Sequence, residues 1–170
     1  MNSYQKIWWE QAKSDLDVFV LVRSQGLAQC HSLHYLQMAT EKIAKAYFWR
    51  SGRPPSRTHA GFRRFLQFLG HTRRKKDRER IASLFSFNRF TDFQNWIRTV
   101  MPIAHEVERL APDRANDGPN PEYPWPHAEP QTAPVNYSFP VWDSLKSGQG
   151  RDLMRVIHIA VDRFPEYADA

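Results

Sequence analysis

The sequence predicts an all-α fold, an up-and-down bundle of four to five helices within a single domain spanning residues 1–170. Apolar residues recur at intervals of three and four along most of the chain, which is the spacing of an amphipathic helix. The segments between these stretches are short and contain glycine or proline, and short connections favour antiparallel neighbours. A chain of 170 residues is also long enough to bury one sizeable core.

The first predicted helix covers residues 4–24. Its apolar stripe is expected to face the core and comprises Trp8, Trp9, Ala12, Leu16, Phe19 and Val20. We interpret the paired tryptophans as core anchors at one end of the bundle. A stacking platform for nucleic-acid bases is the alternative.

The second predicted helix begins near Ala28 and ends near Arg50, where Gly52 and two prolines follow. Several alanines let a neighbouring helix approach it closely. We therefore expect this helix to lie at the centre of the core, with an inward stripe formed by Leu33, Leu36, Ile43 and Tyr47.

Two further helices are predicted in the middle of the chain. One covers Ala60–Leu69, with Thr58 as its N-cap. The other is long, Arg78–Leu110, and Pro102 is expected to kink it because proline removes a backbone donor and crowds the preceding turn.

Residues 111–147 are expected to form an ordered, extended arm before the last helix. Eight of the twelve prolines lie in this segment, and proline is disfavoured within helices and inner strands. Aromatic side chains recur along it, which a disordered segment would lack. The last predicted helix covers Arg151–Phe164 and ends before Pro165.

The charge balance favours a polyanionic partner. The chain has 24 basic and 18 acidic residues, a net charge of +6, and 17 of the basic residues are arginine, whose planar fork matches phosphate. The densest basic stretch is residues 71–80, which is either a solvated connector or a phosphate contact surface. The predicted phosphate-binding residues in it are Arg73, Arg74, Lys75, Lys76 and Arg78.

We expect a cytoplasmic protein that binds no cofactor and no metal ion and does not associate with a membrane. The N-terminal segment lacks a signal-peptide core, and no apolar run reaches the roughly 18 residues of a membrane span. The single cysteine, Cys30, excludes an internal disulfide and a cysteine-based zinc site. His31, His34 and His59 suggest a metal site, but polar surface positions are the favoured interpretation because no carboxylate is obviously placed beside them.

Two motifs carry a family resemblance. Residues 39–48 of the second predicted helix read ATEKIAKAYF, and Thr58 and His59 precede the third predicted helix. Together they resemble the HEPN superfamily of helical bundles, although Ala60 and Gly61 replace the usual Asp-Leu. The positions that match the second-helix pattern are Gln37, Ala39, Glu41, Lys42, Lys45 and Ala46.

The resemblance implies a bundle that is often a homodimer and that serves in prokaryotic toxin–antitoxin or defence modules. Some members are partners of small nucleotidyltransferases. On this basis we predict a nucleotide- or RNA-binding partner subunit of a nucleotidyltransferase or another toxin-module protein. Lys45 and His59 join the predicted phosphate-binding residues.

Other members of the superfamily are metal-independent ribonucleases in which a histidine follows an arginine after four to six residues. The histidine moves a proton and the arginine stabilises charge on phosphorus. The pair Arg98 and His105 lies on the long predicted helix, nearly two turns apart, and is the predicted catalytic pair of this alternative. A structural dimerisation module is the third alternative. The same spacing also occurs at Arg53/His59, Arg64/His71 and Arg151/His158.

Overall fold

A computed structural model describes residues 1–52, 54–55, 61–111, 119–127 and 130–170. These residues form seven α-helices and no strand, which confirms the all-α prediction. Their one extended pairing is an isolated bridge between Trp125 and Thr132. None of the helices described is both long and apolar enough to cross a membrane. The helix count exceeds the predicted four to five because one predicted helix is divided and the proline-rich arm contains another.

The first two helices form an antiparallel hairpin. Helix α1 spans Ser3–Ser24 and α2 spans Gln29–Phe48. The turn between them includes Gly26 at φ 65°, a left-handed conformation that glycine adopts without strain. Twelve of the 20 residues of α2 are buried, so its predicted central position is confirmed.

A largely buried ion pair joins the two helices. Lys42 Nζ of α2 lies 2.5 Å from Asp15 Oδ2 of α1, and the two side chains are only 13% and 8% exposed. Gln11 donates a second hydrogen bond to the same carboxylate, at 3.0 Å. The buried carboxylate of Asp15 on α1 is therefore neutralised by the ammonium of Lys42 on α2. Because sliding one helix along the other would separate this pair, the ion pair disfavours such sliding.

The predicted tryptophan anchors contact the rest of the bundle. Trp9 donates its indole N–H to the carbonyl of Val161 at 2.7 Å, and its ring stacks on Phe164. Trp8 is partly buried against the core, and the ammonium of Lys45 lies 5.0 Å from its ring centroid. These contacts favour the anchor interpretation over a free stacking platform.

Helix α3 spans Phe62–Gly70. It begins two residues later than predicted, with Gly61 at the N-cap position and no side-chain cap. The predicted N-cap, Thr58, lies outside the described residues.

The single long helix predicted for Arg78–Leu110 is wrong. Two helices occupy this region, α4 at Lys75–Leu84 and α5 at Phe90–Glu108. Ser86 between them has a φ of 64°. A residue in this left-handed conformation ends a helix rather than continuing it.

Aromatic packing explains the break. The rings of Phe85 and Phe87, on either side of Ser86, have centroids 4.9 and 6.0 Å from that of Phe93. The chain reversal thus collects aromatic surface that a continuous helix would distribute around its circumference. Pro102 lies inside α5, as predicted.

Aromatic side chains of the proline-rich arm pack against the bundle. Trp125 and Phe139 are 4% and 1% exposed, and Tyr137 packs edge-on against both. The arm is not entirely extended, because a short helix, α6, spans Pro140–Ser144. Proline at a first helical position loses no intrahelical hydrogen bond, so it begins this helix rather than preventing it.

The last helix, α7, spans Gly148–Asp162. It begins three residues earlier than predicted because the Ser147 hydroxyl accepts a hydrogen bond from the backbone N–H of Gly150. A Cβ on Gly150 would lie 2.2 Å from the carbonyl oxygen of Ser144. Only glycine therefore permits the close approach of α6 to the start of α7.

Candidate nucleic-acid interface

Helices α3 and α5 run antiparallel, and a hydrogen bond joins them at each end of α3. At one end, Glu108 Oε2 accepts the backbone N–H of Arg63 at 3.0 Å. At the other end, Gln94 donates to the carbonyl of Gly70 at 2.6 Å. Both bonds satisfy backbone groups that a helix terminus leaves without an intrahelical partner. We call the solvent-facing depression along these two helices the α3–α5 groove.

The first cavity of the groove contains an arginine–histidine contact. Arg63 Nη1 lies 3.1 Å from Nδ1 of His105. A guanidinium can only donate, so Nδ1 is the acceptor and the hydrogen of the neutral ring resides on Nε2. The cavity has a volume of about 310 Å³, and Glu108 and Arg109 complete its lining.

Arg98, the predicted catalytic partner of His105, lines a different cavity. Its Nη1 donates to Asn95 Oδ1 at 3.2 Å, and both Arg98 and His105 are exposed. The second cavity, of about 160 Å³, places Arg98 beside His71 at the end of α3. The predicted pair is thus divided between two neighbouring cavities, and each member lies with a residue from the α3 side.

A third cavity follows where α3 ends. It has a volume of about 390 Å³ and shares His71 with the second cavity. We call it the Arg73 pocket. Its lining residues are Tyr47, Arg50, Phe68, His71, Thr72, Arg73, Arg74, Asp77, Asp169 and Ala170.

Two side chains of the Arg73 pocket are held in place by internal hydrogen bonds. The ring nitrogen Nδ1 of His71 donates to the carbonyl of Gln67 at 2.7 Å, which leaves Nε2 as the acceptor of the neutral ring. The guanidinium of Arg50 donates to the Tyr47 hydroxyl and to the Ala170 carbonyl, and lies 4.2 Å from the Tyr47 ring centroid. Burial raises the pKa of Tyr47 while the charge of Arg50 opposes that rise.

Arg73 and Arg74 are the exposed cations of this pocket. They lie in the connection between α3 and α4, and neither forms an ion pair with another residue in the described part of the chain. Asp77, the nearest acid in sequence, is already paired with Arg80 at 3.0 Å. The two guanidinium groups therefore remain available to an anion.

The other predicted phosphate-binding residues are less favourably placed. Lys75 and Lys76 are exposed in the first turn of α4, with Lys75 3.8 Å from Glu79. Arg78 donates to the Thr72 carbonyl at 2.8 Å. All three lie beside the Arg73 pocket without lining it.

Lys45 and His59 do not belong to the groove as described. Lys45 forms an ion pair with Glu41 and lies over the Trp8 ring, so it stabilises the α1–α2 interface. His59 lies outside the described residues. In the part of the chain that the structure covers, no group of three or more His, Cys, Asp or Glu side chains is arranged to hold a metal ion.

Sequence reasoning missed three arginines of this surface: Arg50, Arg63 and Arg109. The Arg–His spacing pointed to His71 and His105, but it paired each histidine with the arginine seven residues before it, Arg64 and Arg98 respectively. The contacts instead join α3 with α5, and a contact between helices has no fixed sequence spacing. The pattern therefore detects the histidines more reliably than their partners.

No protein-family model, curated protein or solved structure matches the chain. Its HEPN resemblance stays a prediction from the motifs of α2 and of the segment before α3. Function is therefore inferred from the geometry of the groove and the pocket.

Proposed function

We propose that the chain binds single-stranded RNA or nucleotides through a basic track, made of the two cavities of the α3–α5 groove and the Arg73 pocket. One observation carries the proposal: six arginines and three acids line these three cavities, and the second and third cavities share His71. The six arginines are Arg50, Arg63, Arg73, Arg74, Arg98 and Arg109.

The chemistry of the track suits a short stretch of nucleic-acid strand. Arginine binds phosphate oxygens through two parallel hydrogen bonds. The ring of Phe68 borders the Arg73 pocket, is 39% exposed and lies beside the guanidinium groups of Arg50 and Arg64, so a base that stacks on its exposed part also meets positive charge. The nine residues of α3 span about 13.5 Å, so the track accommodates a few nucleotides of a single strand.

We also propose that the chain is a partner subunit in a prokaryotic toxin–antitoxin or defence module. This proposal is supported by the resemblance of α2 to the HEPN pattern. A neighbouring gene for a small nucleotidyltransferase, or for another toxin-module protein that co-purifies with the chain, would support it further.

Equilibrium binding of a fluorescent single-stranded RNA tests the track. We expect the double variant Arg73→Ala/Arg74→Ala to bind about tenfold more weakly than the wild type because two phosphate contacts are lost. Lys6→Ala/Lys13→Ala is the matched control, since it also removes two exposed positive charges, from α1. Equal weakening in both variants would show a general charge effect rather than a site.

The Arg63–His105 contact favours a second function, metal-independent RNA cleavage. A phosphate that takes the guanidinium of Arg63 would free Nδ1 of His105. Nδ1 could then accept the proton of the attacking ribose 2′-hydroxyl while Arg63 stabilises charge on phosphorus. The products would be a 2′,3′-cyclic phosphate and a 5′-hydroxyl, whose oxygen takes its proton from the imidazolium or from water.

The exposed face of α1 favours the third alternative, dimerisation with a second copy of the chain. Ile7 and Leu21 are 58% and 59% exposed on this helix. If two α1 helices pack antiparallel around a two-fold axis near the middle of this exposed face, Ile7 meets Val18 and Tyr4 meets Leu21. The polar Gln11 and Ser14 meet at the centre. This pairing matches apolar with apolar and polar with polar side chains.

A further inference from the structure

We propose that the Arg73 pocket binds a terminal phosphate monoester of an RNA strand or nucleotide in preference to an internal phosphodiester. This inference rests on the proposed binding of RNA or nucleotides by the basic track. It specifies which end group of the ligand the track selects.

The pocket lies at one end of the track. His71 separates it from the second cavity of the α3–α5 groove. Its other lining residues include Tyr47, from the last turn of α2, and Asp169 and Ala170, from the C-terminal segment. Tyr47 is buried in the core and hydrogen bonds to Ala170 at 3.0 Å, so the C-terminal segment of this wall is held against the core. A strand that follows the groove therefore reaches a wall at the pocket.

The charges of the pocket suit a monoester. A phosphate monoester carries about −1.5 to −2 charges at pH 7, whereas an internal phosphodiester carries a single charge. Three guanidinium groups line the pocket: those of Arg73 and Arg74 remain available, whereas that of Arg50 is hydrogen-bonded to Tyr47 and Ala170 and adds its charge from the wall. Its two acids are already paired: Asp77 with Arg80, and Asp169 with the Met1 amino group at 3.0 Å. The acids consequently offset little of the positive charge that the extra phosphate charge would meet.

His71 adds a feature that only a monoester can use. Because Nδ1 donates to the Gln67 carbonyl, the neutral ring presents Nε2 as an acceptor. A monoester with a second pKa near 6 is partly protonated and can donate this proton to Nε2. An internal phosphodiester has no such proton.

Three oligonucleotides of one sequence test the proposal: one with a 5′-phosphate, one with a 3′-phosphate, and one with hydroxyl groups at both ends. We expect one phosphorylated end to lower the Kd by about tenfold, as expected for new charge-assisted hydrogen bonds. The phosphorylated oligonucleotide that binds more tightly identifies the terminus that the pocket recognises. Free nucleoside 5′-monophosphate and inorganic phosphate, used as competitors, show whether the nucleoside contributes to affinity.

Variants locate the effect within the track. Arg73→Ala and His71→Gln should each reduce the preference for the phosphorylated end while the hydroxyl-ended strand still binds. Arg98→Ala, in the second cavity, should weaken binding of all three strands by the same factor. Circular dichroism and thermal unfolding confirm that each variant is folded.

The outcomes distinguish this inference from the function on which it rests. Equal affinity for the three strands, or a preference that survives Arg73→Ala and His71→Gln, overturns the monoester site and leaves RNA binding by the track in place. Failure of the wild type to bind any strand at low salt overturns both.

Discussion

The guanidinium of Arg63 in α3 lies 3.1 Å from Nδ1 of His105 in α5. Glu108, one turn beyond His105, accepts the backbone N–H of the same arginine. One residue at the start of α3 thus contacts two successive turns of α5. Any chemistry at His105 would use Arg63, which is adjacent in space, rather than Arg98, which lines the next cavity with His71.

Cleavage assays in the presence of EDTA separate the two arginines. If the chain is a ribonuclease, His105→Ala and Arg63→Ala should each reduce the rate of RNA cleavage by about 100-fold or more, the usual contribution of a proton-transfer group. Arg98→Ala should have a much smaller effect. Cleavage that is unchanged in His105→Ala would exclude this histidine, and the reverse order of Arg63 and Arg98 would restore the pair predicted from sequence.

The exposed face of α1 that carries Tyr4, Ile7 and Leu21 predicts self-association. Ile7→Glu and Leu21→Glu should each shift the chain from dimer to monomer in analytical ultracentrifugation, because a charge in an apolar contact is costly to desolvate. Val20→Glu is the matched control: Val20 was predicted to face the core, but it is 46% exposed and lies away from the face that carries Ile7 and Leu21. A wild type that is monomeric at high concentration, or a dimer that persists in both Ile7→Glu and Leu21→Glu, would contradict this interface.

The Asp15–Lys42 pair predicts a large stability effect. Lys42→Ala leaves the buried carboxylate of Asp15 without its cation, and we expect the free energy of unfolding to fall by about 2–4 kcal/mol. The control is Lys13→Ala, whose partner Asp17 is 67% exposed; surface pairs contribute about 0–1 kcal/mol. Urea unfolding measures both. Similar losses in the two variants would show that burial does not distinguish the pairs.

Tyr167 predicts a loss of stability at alkaline pH. Burial raises its pKa well above the usual value, and its hydroxyl donates to the Ala160 carbonyl at 2.5 Å. Above about pH 10 the unfolded tyrosine releases its proton while the folded one retains it, so the free energy of unfolding falls as pH rises. Burial raises the pKa of Tyr47 as well, and this adds to the trend.

Thermal unfolding between pH 8 and pH 11 checks this prediction. Tyr167→Phe should remove part of the alkaline fall and cost about 1 kcal/mol at pH 7 through the lost hydrogen bond. Tyr4→Phe, at a half-exposed position, should leave the pH profile unchanged. A Tyr167→Phe profile that matches the wild type would show that ionisation of this residue is not linked to unfolding.

The helices were predictable where local pattern and tertiary packing agree. The apolar stripe and the flanking turn residues placed α1 and α2 to within about two residues, the usual uncertainty of a helix end. The break between α4 and α5 was not predictable. Apolar residues on both sides of Ser86 continue a helical period, and only the clustering of Phe85 and Phe87 on Phe93 favours two helices.

The candidate site was predictable in part. The basic stretch that precedes and begins α4 identified Arg73 and Arg74 because density of charge is visible in sequence. Lys45 was predicted as a ligand contact from the family pattern, yet in the structure it pairs with Glu41. Arg50 and Arg63 carry no local signal, since their positions in the track depend on how α2, α3 and α5 pack.

The salt dependence of RNA binding tests the central claim most directly. For a single strand, log K falls with log salt with a slope of about −0.7 for each phosphate contacted. Contacts from most of the six arginines predict a wild-type slope of about −3 to −4, and Arg73→Ala/Arg74→Ala should make the slope less negative by about 1.4. A wild-type slope near zero, or an identical slope in the variant, would contradict phosphate binding by the basic track.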